Sequence, residues 1–384
     1  MKNVAVIFGG RSTEHDVSIV TALSSVIAPI AMLSGYKPIP VYIARDGSWY
    51  SNDDLKEMHF YTGGNLEDKL KRMKKLSLKF DDGLWLMKPG LGGEKIRIDI
   101  AFPSMHGTYG EDGSLMGLLR MAGIPFVGCD MTASAIAMDK ALTKQLVNDA
   151  GLKVAKYIWF DKHDWAKQSK EITRKINGLK YPLFVKPAHL GSSIAITKIK
   201  TKDELENALE VAMHYDDKIL VEESVPNLIE VTVPVMGGYE PRVGMVEESL
   251  AKSEFFDFDS KYMHGGKKIK GLGKDGGDKS TWSRIPARIP KPLYKECEDI
   301  ARETYRVLGC SGISRVDLLI DDGKKQVYVN EVNTLPGTLY RHNWQKAGIS
   351  AVELVENLIM FALKRHEESK RLATVFNTNF LKQF

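Results

Sequence analysis

The chain opens on a short apolar run, Val4 to Phe8, which ends in Gly9–Gly10 and gives way near Asp16 to an amphipathic stretch. Strand, glycine turn and helix in that order open a nucleotide-binding type of α/β unit. Pro29 is expected to end or kink this first helix. Buried strands are predicted over 37–43 and 96–102. Between them, residues 45–95 carry turn signals and a basic run, Lys69 to Lys75, read as a solvated helix face. Helical periodicity from Asp139 to Ala150 stops at Gly151. A strand over 182–187, a loop with Gly191, Ser192 and Ser193, and a strand over 194–198 follow. Thr201 and Glu204 form a capping-box pattern ahead of a helix running through His214. A strand over 219–223 precedes two more over 229–249, joined at Gly237–Gly238. Residues 264–283, rich in glycine and lysine, bury little and read as a mobile loop. The pattern closes with a helix over 291–308, strands over 314–320 and 326–332, and a helix from about Ala351 to Lys370.

Alternating strands and helices at the start, then antiparallel-looking strands, predict mixed α/β and α+β architecture in three domains. The expected divisions are 1–128, 129–226 and 227–384. No repeat period suggests a solenoid. A chain of 384 residues, 43% hydrophobic and 27% charged, is long enough for several cores. Its net charge of +5 is mild; it favours anionic substrates such as nucleotide phosphates without arguing for nucleic acid. Cys129, Cys297 and Cys310 have neither disulfide-framework nor metal-ligand spacing, which fits a reducing cytoplasm. No apolar run is read as reaching the roughly 18–20 residues that cross a bilayer, and the N-terminus lacks a signal pattern.

The most informative chemistry lies near the C-terminus. Arg315 and Asp317 are two apart on one predicted strand, and Glu331 and Asn333 two apart on the next. Side chains alternate across a strand, so each pair shares a face, and neighbouring strands would bring all four to one patch. Hard oxygen ligands of this type suit Mg²⁺ bridging to nucleotide phosphates. A surface salt-bridge cluster is the alternative. Lys186, ending a buried-looking strand before Gly191–Ser192–Ser193, is placed to contact phosphates under a closing loop. A plain strand end and turn also fits, and no P-loop pattern exists. Glu14, at the mouth of the first helix, can hold an ammonium or simply stabilise the helix N-terminus. The G-x-G-x-x-G fingerprint of dinucleotide binding is missing. His106 and Gly110 to Gly113 follow a predicted strand, where loops often carry function.

Taken in order, these segments resemble one family. Gly9-Gly10-x-Ser12-x-Glu14-x-x-Val17-Ser18, His106 to Gly113 and Met138-Asp139-Lys140 are similar to N-terminal motifs of D-alanine–D-alanine ligases. So are Val185-Lys186-Pro187 with Gly191 to Ser193, and Phe256-Asp257-Phe258 leading to Lys261-Tyr262. Gly309 to Gly312 with Arg315-Val-Asp317 and Asn330-Glu331-Val-Asn333-Thr-x-Pro336-Gly337 complete the set. The resemblance spans roughly residues 3 to 365.

It implies a three-domain ATP-grasp fold with a Rossmann-like N-terminal domain and a mobile lid near 253–283. By matching position, Lys140, Lys186, Ser192 and Ser193 would contact ATP phosphates. Glu222, Glu223 and Val225 would line the adenine pocket, with Asn330 also at the nucleotide. Asp317, Glu331 and Asn333 would hold two Mg²⁺ ions, or Mn²⁺ in their place. Glu14 would bind the first substrate's ammonium, and Ser192 and Tyr262 would link loop and lid. Arg315 and the Gly337 amide would stabilise the tetrahedral oxyanion, with His106 and Lys261 near the incoming amino acid. The implied partners are ATP and small amino acids, with a homodimer expected by analogy and neither nucleic acid nor membrane involved.

Three departures from the family pattern stand out. Leu228 falls where an acidic residue usually binds the ribose, so Glu230 is the candidate replacement. A lysine- and glycine-rich extension follows Tyr262. After Gly337 the chain reads Thr-Leu-Tyr-Arg-His-Asn-Trp, without the serine that usually holds the second substrate's carboxylate; Arg341 or His342 is then the expected donor. The expected activity is D-alanyl-D-alanine synthesis for peptidoglycan. The alternatives are a ligase making another dipeptide, a non-catalytic nucleotide-binding relative, and a nicotinamide oxidoreductase.

Overall fold

The computed structural model describes residues 1–90, 93–191, 194–250, 283–375 and 378–384. The first strand, Lys2–Gly9, lies between Tyr36–Ile43 and Ile100–Pro103, parallel to both, with Trp49–Tyr50 antiparallel at one edge. Its unbroken apolar run is explained by burial on two faces: Val4, Val6 and Phe8 enter one core, and Ala5 and Ile7 enter another. The stretch expected as one strand over 96–102 is two. Lys95–Ile98 joins Ser77–Phe80 and Leu84–Met87 in a small antiparallel sheet, and Ile100–Pro103 joins the main one. Asp99 breaks the run by accepting a hydrogen bond from the Asn3 amide at 2.7 Å.

Pro29 does not end the first helix. The chain is helical without interruption from His15–Thr21 through a π-helical turn, Ala22–Ile27, to Ala28–Met32, with Pro29 in the first turn of that last segment. The π turn widens the helix just ahead of the proline ring, where an ordinary α turn meets it most closely. This run of 18 residues is, contrary to expectation, long and apolar enough to span a bilayer, yet 61% of it is buried inside the protein. It is a core helix, with Ile19, Ala22, Val26 and Ile30 packed under the parallel sheet.

A second sheet has the order Thr197–Ile199, Leu183–Pro187, Lys218–Glu223, Tyr157–Asp161, all antiparallel. Leu183, Val185, Ile219 and Val221 turn to a core shared with the helices Lys162–Ile176 and Leu205–Tyr215. Alternation therefore turns Phe184, Lys186, Leu220 and Glu222 to the opposite face. The capping box is made only in part. Glu204 accepts from the Lys200 amide at 2.8 Å and from the Thr201 hydroxyl at 3.4 Å, but Thr201 caps no amide, and a 3₁₀ turn, Lys202–Glu204, precedes the helix.

The third sheet runs Ser283–Arg284, Glu247–Ser249, Leu228–Gly237, Gly312–Asp321, Gln326–Asn333, with Arg242–Val243 beside the third of these. Helix Lys291–Val307 covers the apolar face through Leu293, Cys297, Ala301 and Tyr305. The cores do not follow the chain. The core under the first sheet takes in Trp344, Leu354, Val355 and Leu358, and that of the third sheet takes in Ala133, Ala137 and Val147. Among the described residues, two of the four cores thus draw on both sides of boundaries expected at 128/129 and 226/227.

Where these parts meet, Arg365 on the helix Ala351–Lys370 donates to the carbonyls of Gly128 at 2.5 Å and Phe126 at 2.7 Å, and to the Ser311 hydroxyl. Beside it Gly312 holds a φ of +74°, and a Cβ there would stand 3.0 Å from the Gly128 backbone. Gly312→Ala should therefore cost about 1–3 kcal/mol of stability through strain and overpacking. Urea unfolding checks this; a shift under about 0.5 kcal/mol, the level of an ordinary surface change, would contradict it.

Candidate active site

Strands Gly312–Asp321 and Gln326–Asn333 are adjacent and antiparallel, with Arg315 opposite Asn333 and Asp317 opposite Glu331. A β-bulge between Asp317 and Leu318 makes this possible. Below it Leu318 pairs with Val329, so Asn330 is the extra residue. Val327 and Val329 point to the core with strict alternation, and the bulge resets the period so that Val332 does too. Without it Glu331 would face the core. With it Asn330, Glu331 and Asn333 are all partly exposed beside Arg315 and Asp317.

The four side chains expected together are together. The Arg315 guanidinium grips Asp317 in bidentate fashion, Nε to Oδ1 at 2.8 Å and Nη2 to Oδ2 at 2.6 Å. Asn333 Nδ2 donates to Asp317 Oδ2 at 3.3 Å, and Thr232 Oγ1 to Oδ1 at 3.0 Å. Thr232 lies on Leu228–Gly237, where Val231, Val233 and Val235 face the core, so Glu230 shares the site face with it. Burial pushes the Asp317 carboxyl up against the opposing pull of Arg315. Two carboxylates and an amide on one surface form an all-oxygen donor set that fits a hard divalent cation.

Lys140 reaches this patch from the other side. Its Nζ stands 3.9 Å from Glu331 Oε2 and donates to the Leu190 carbonyl at 2.5 Å. It opens the helix Lys140–Asp149, capped by Asp139, whose Oδ1 accepts from the amides of Ala141 and Leu142. Lys186 sits on the outward face of its strand, ion-paired to Glu222, which also pairs with Lys144 at 2.8 Å. Burial alone would raise the Glu222 carboxyl; the Lys144 and Lys186 ammoniums overcome it and hold it down to about 2. Burial lowers Lys140 and Lys144. Lys144 is a member of this group that sequence reasoning missed; its position one helical turn after Lys140 was the available signal. Glu223 ends the strand that carries Glu222, accepting from the Lys180 amide at 3.0 Å, and Val225 follows it.

Glu14 stands at the N-terminus of the first helix, and glycine backbones leave room for it. A Cβ on Gly107 would lie 3.0 Å from its carboxylate, and one on Gly191 3.6 Å away. Glu111, unremarked in the sequence beyond its motif, accepts from the amides of Gly107 at 2.8 Å and Leu335 at 3.3 Å. Burial, then the charge of Glu14, raise its carboxyl well above the usual range. His106 is buried and held neutral by that burial, its ring lowered to about 4, with Nε2 2.8 Å from Thr21 Oγ1. Thr21 also accepts from the Thr338 amide at 3.0 Å. The first helix therefore positions the Gly337 segment, with Gly337 itself against Val17.

Beyond Gly337 the backbone is unusual: Thr338, Leu339 and Tyr340 all have φ near +50°. Consecutive left-handed residues cost roughly 1–2 kcal/mol each. This turn puts the Tyr340 ring 5.7 Å under the Arg315 guanidinium and 4.5 Å from the His342 ring. His342 Nε2 lies 3.0 Å from buried Glu247, and Arg341 is tied to the Ser24 carbonyl at 2.7 Å. Of the two candidates for the missing serine, His342 packs its ring against Tyr340, which in turn lies under Arg315. Ser192, Ser193, Lys261, Tyr262 and the lid expected at 253–283 (all but Ser283) lie outside the described residues.

Comparison with known proteins decides the family. The model for the D-ala D-ala ligase N-terminus matches residues 3–129, and that for the C-terminus matches residues 146–360. The chain belongs to the D-alanine–D-alanine ligase family. It is 36% identical to a D-alanine–D-alanine ligase of Natranaerobius thermophilus over 97% of this chain and 98% of that one. It is 37% identical to that of Chlorobium phaeovibrioides, over 96% and 98%. Among solved structures it is similar to the VanG D-Ala:D-Ser ligase of Enterococcus faecalis, with TM-score 0.78, 34% identity, and coverage of 94% of this chain and 99% of that one. The ligase of Coxiella burnetii gives the same TM-score at 26% identity, covering 96% of both chains. The fold is ATP-grasp, and members of the family are ATP-dependent ligases that act on amino acids with a divalent metal.

Glu222 should prove a keystone of the lysine cluster. Glu222→Gln leaves two buried ammoniums without their counter-charge, and about 3–5 kcal/mol of stability should be lost. Because its carboxyl is depressed from 4.5 to about 2, its contribution is fully present above pH 4.5 and is lost as pH falls through 2. Urea unfolding at pH 7 and pH 3 should show the gap between variant and wild type; a variant as stable as wild type at pH 7 would remove this role.

Proposed function

We propose that the chain joins two D-alanine molecules into D-alanyl-D-alanine for peptidoglycan precursor synthesis, with ATP converted to ADP and phosphate. The observation that supports this best is the meeting of Arg315, Asp317, Glu331 and Asn333 with Lys140, which comes from a helix distant in sequence. The first D-alanine attacks the γ-phosphate through its carboxylate and becomes an acyl phosphate. Lys140 and Lys186 bind the phosphates, while Glu222, Glu223 and Val225 line the base, Asn330 also meets the nucleotide, and Glu230 takes the ribose. Asp317, Glu331 and Asn333 would hold two Mg²⁺ ions, replaceable by Mn²⁺, which neutralise phosphate charge when bound. Phosphoryl transfer asks for such positioning and charge neutralisation more than for covalent chemistry.

Glu14 holds the ammonium of the first D-alanine. The second attacks as a neutral amine, phosphate leaves, and the oxyanion of the tetrahedral intermediate is met by Arg315 and the Gly337 amide. Preorganised donors of this kind are typically worth about 10²–10³ in turnover each. His106 borders the incoming amino acid. Ser192, Tyr262 and Lys261 belong to the same assignment from their place in the motifs. Location in the cytoplasm, a homodimeric state, and three domains divided near 128/129 and 226/227 complete the reading.

A second reading, a D-Ala–Xaa ligase with another acceptor, is favoured by the rebuilt turn at Thr338 to Tyr340 and by the His342–Glu247 pair. Phosphate release with D-alanine alone, with the dipeptide identified by mass, supports the first reading. Release only when D-serine, L-alanine or D-lactate is added supports the second. His342→Ala should raise the acceptor KM by about tenfold while sparing the KM for ATP, since loss of one charged contact is worth about 1.4 kcal/mol or more. An unchanged acceptor KM would remove His342 from the pocket.

A further inference from the structure

Asp139 and Lys140 are bound to the loop that follows Lys186 by more than the Lys140 side chain. The Lys140 amide donates to the Ala188 carbonyl at 3.1 Å, and the Ala188 amide to the Lys218 carbonyl at 2.9 Å. Between these lies His189, which none of the roles above uses. Its amide donates to Asp216 Oδ2 at 2.7 Å, and its Nδ1 lies 3.0 Å from Asp216 Oδ1. On the other side its Nε2 is 3.4 Å from Asp139 Oδ2, the cap of the Lys140 helix. An imidazole with a carboxylate at each nitrogen satisfies both only when both nitrogens carry protons. Lys218 Nζ lies 2.6 Å from the same Asp139 oxygen, so a second cation shares the Asp139 carboxylate with the ring.

We propose that His189 is a positioning residue for ATP: as an imidazolium strung between Asp139 and Asp216, it clamps the 188–191 loop to the helix that presents Lys140. Two elements that must meet the phosphates are thereby set in register. The Leu190 carbonyl, next in the chain, is the acceptor that orients the Lys140 ammonium. The inference rests on the reading of Lys140 as a phosphate ligand. The charged groups around the ring are Asp139, Asp216, Asp217, Lys218 and, across Leu190, Lys140. The hydrogen bonds to Asp139 and then Asp216 raise the ring from 6.5 to about 9. A raised histidine holds its contribution below its ordinary value and loses it as pH rises through the folded one, so the clamp is intact at neutral pH and opens near pH 9.

The test is the KM for ATP against pH in wild type, His189→Gln, His189→Arg and Lys140→Ala. Wild type should hold a steady KM at neutral pH and lose affinity as pH passes about 9. His189→Gln should show a KM raised roughly tenfold with kcat changed by no more than about twofold, and no inflection at that pH. His189→Arg, a permanent cation, should recover most of the loss. An inflection that persists in His189→Gln, or an unaltered KM, overturns the proposal. The ring's NMR titration gives an independent answer: a midpoint near 6.5 overturns it, as does displacement of the ring resonance by added Zn²⁺ at equimolar concentration. Lys140→Ala separates the two claims. If it leaves the KM for ATP unmoved, the phosphate reading of Lys140 falls; if it raises the KM while His189→Gln does not, only the clamp falls.

Discussion

The active site depends on one extra residue in one strand. Antiparallel pairing of Gly312–Asp321 with Gln326–Asn333 would, with unbroken alternation, turn Glu331 into the hydrophobic core beside Val327 and Val329. The bulge at Asn330 converts a core-facing register into a site-facing one without displacing the strand. Everything polar is then referred to that surface. Arg315 is fixed by its fork on Asp317, Asp317 is steadied by Thr232 and Asn333, and Lys140 approaches Glu331 from the helix above. The apolar side of the same strands is closed by helix Lys291–Val307, which gives the site a rigid floor.

Charge is the second organising constraint. Three lysines, Lys140, Lys144 and Lys186, stand in surroundings with little access to water, where an unpaired ammonium is costly. Glu222 answers two of them and Glu331 the third. The cluster is thus ready for an anionic ligand whose arrival adds negative charge to a net positive surface. Glu14 and Glu111 lie close together against Gly107, and burial, then the charge of Glu14, raises Glu111. Glu14 borders Gly191 while Lys140 donates to the adjoining Leu190 carbonyl, and an acidic group beside basic ones suits an amino-acid ammonium beside a nucleotide phosphate.

Much of this was legible in the sequence because local rules decided it. The apolar first strand, the helix that stops at Gly151 and the two strands carrying Arg315, Asp317, Glu331 and Asn333 follow from periodicity and turn chemistry. The motif order also sufficed to name the family. What escaped depends on partners distant in sequence. Asp99 breaks a strand by bonding Asn3, and a π turn carries the helix through Pro29. The bulge at Asn330 is set by packing of Val329 and Val332 against a helix, and no residue in Val-Asn-Glu-Val announces it. The mixing of cores between chain segments escaped for the same reason. Helix Ala351–Lys370 is amphipathic whichever sheet it covers; Leu354, Val355 and Leu358 in the first core and the Arg365 contact with Gly128 show which, and both partners are distant in sequence.

The proposed chemistry is transfer of the γ-phosphate to the carboxylate of the first D-alanine, which becomes an acyl phosphate. D-alanine labelled with ¹⁸O in its carboxylate tests it most directly. If an acyl phosphate forms and the second amine expels phosphate, one labelled oxygen leaves the amino acid and appears in inorganic phosphate, detectable by mass or by ³¹P NMR. Phosphate free of label, alongside dipeptide formation, would mean that the carboxylate was activated in some other way and would contradict the account.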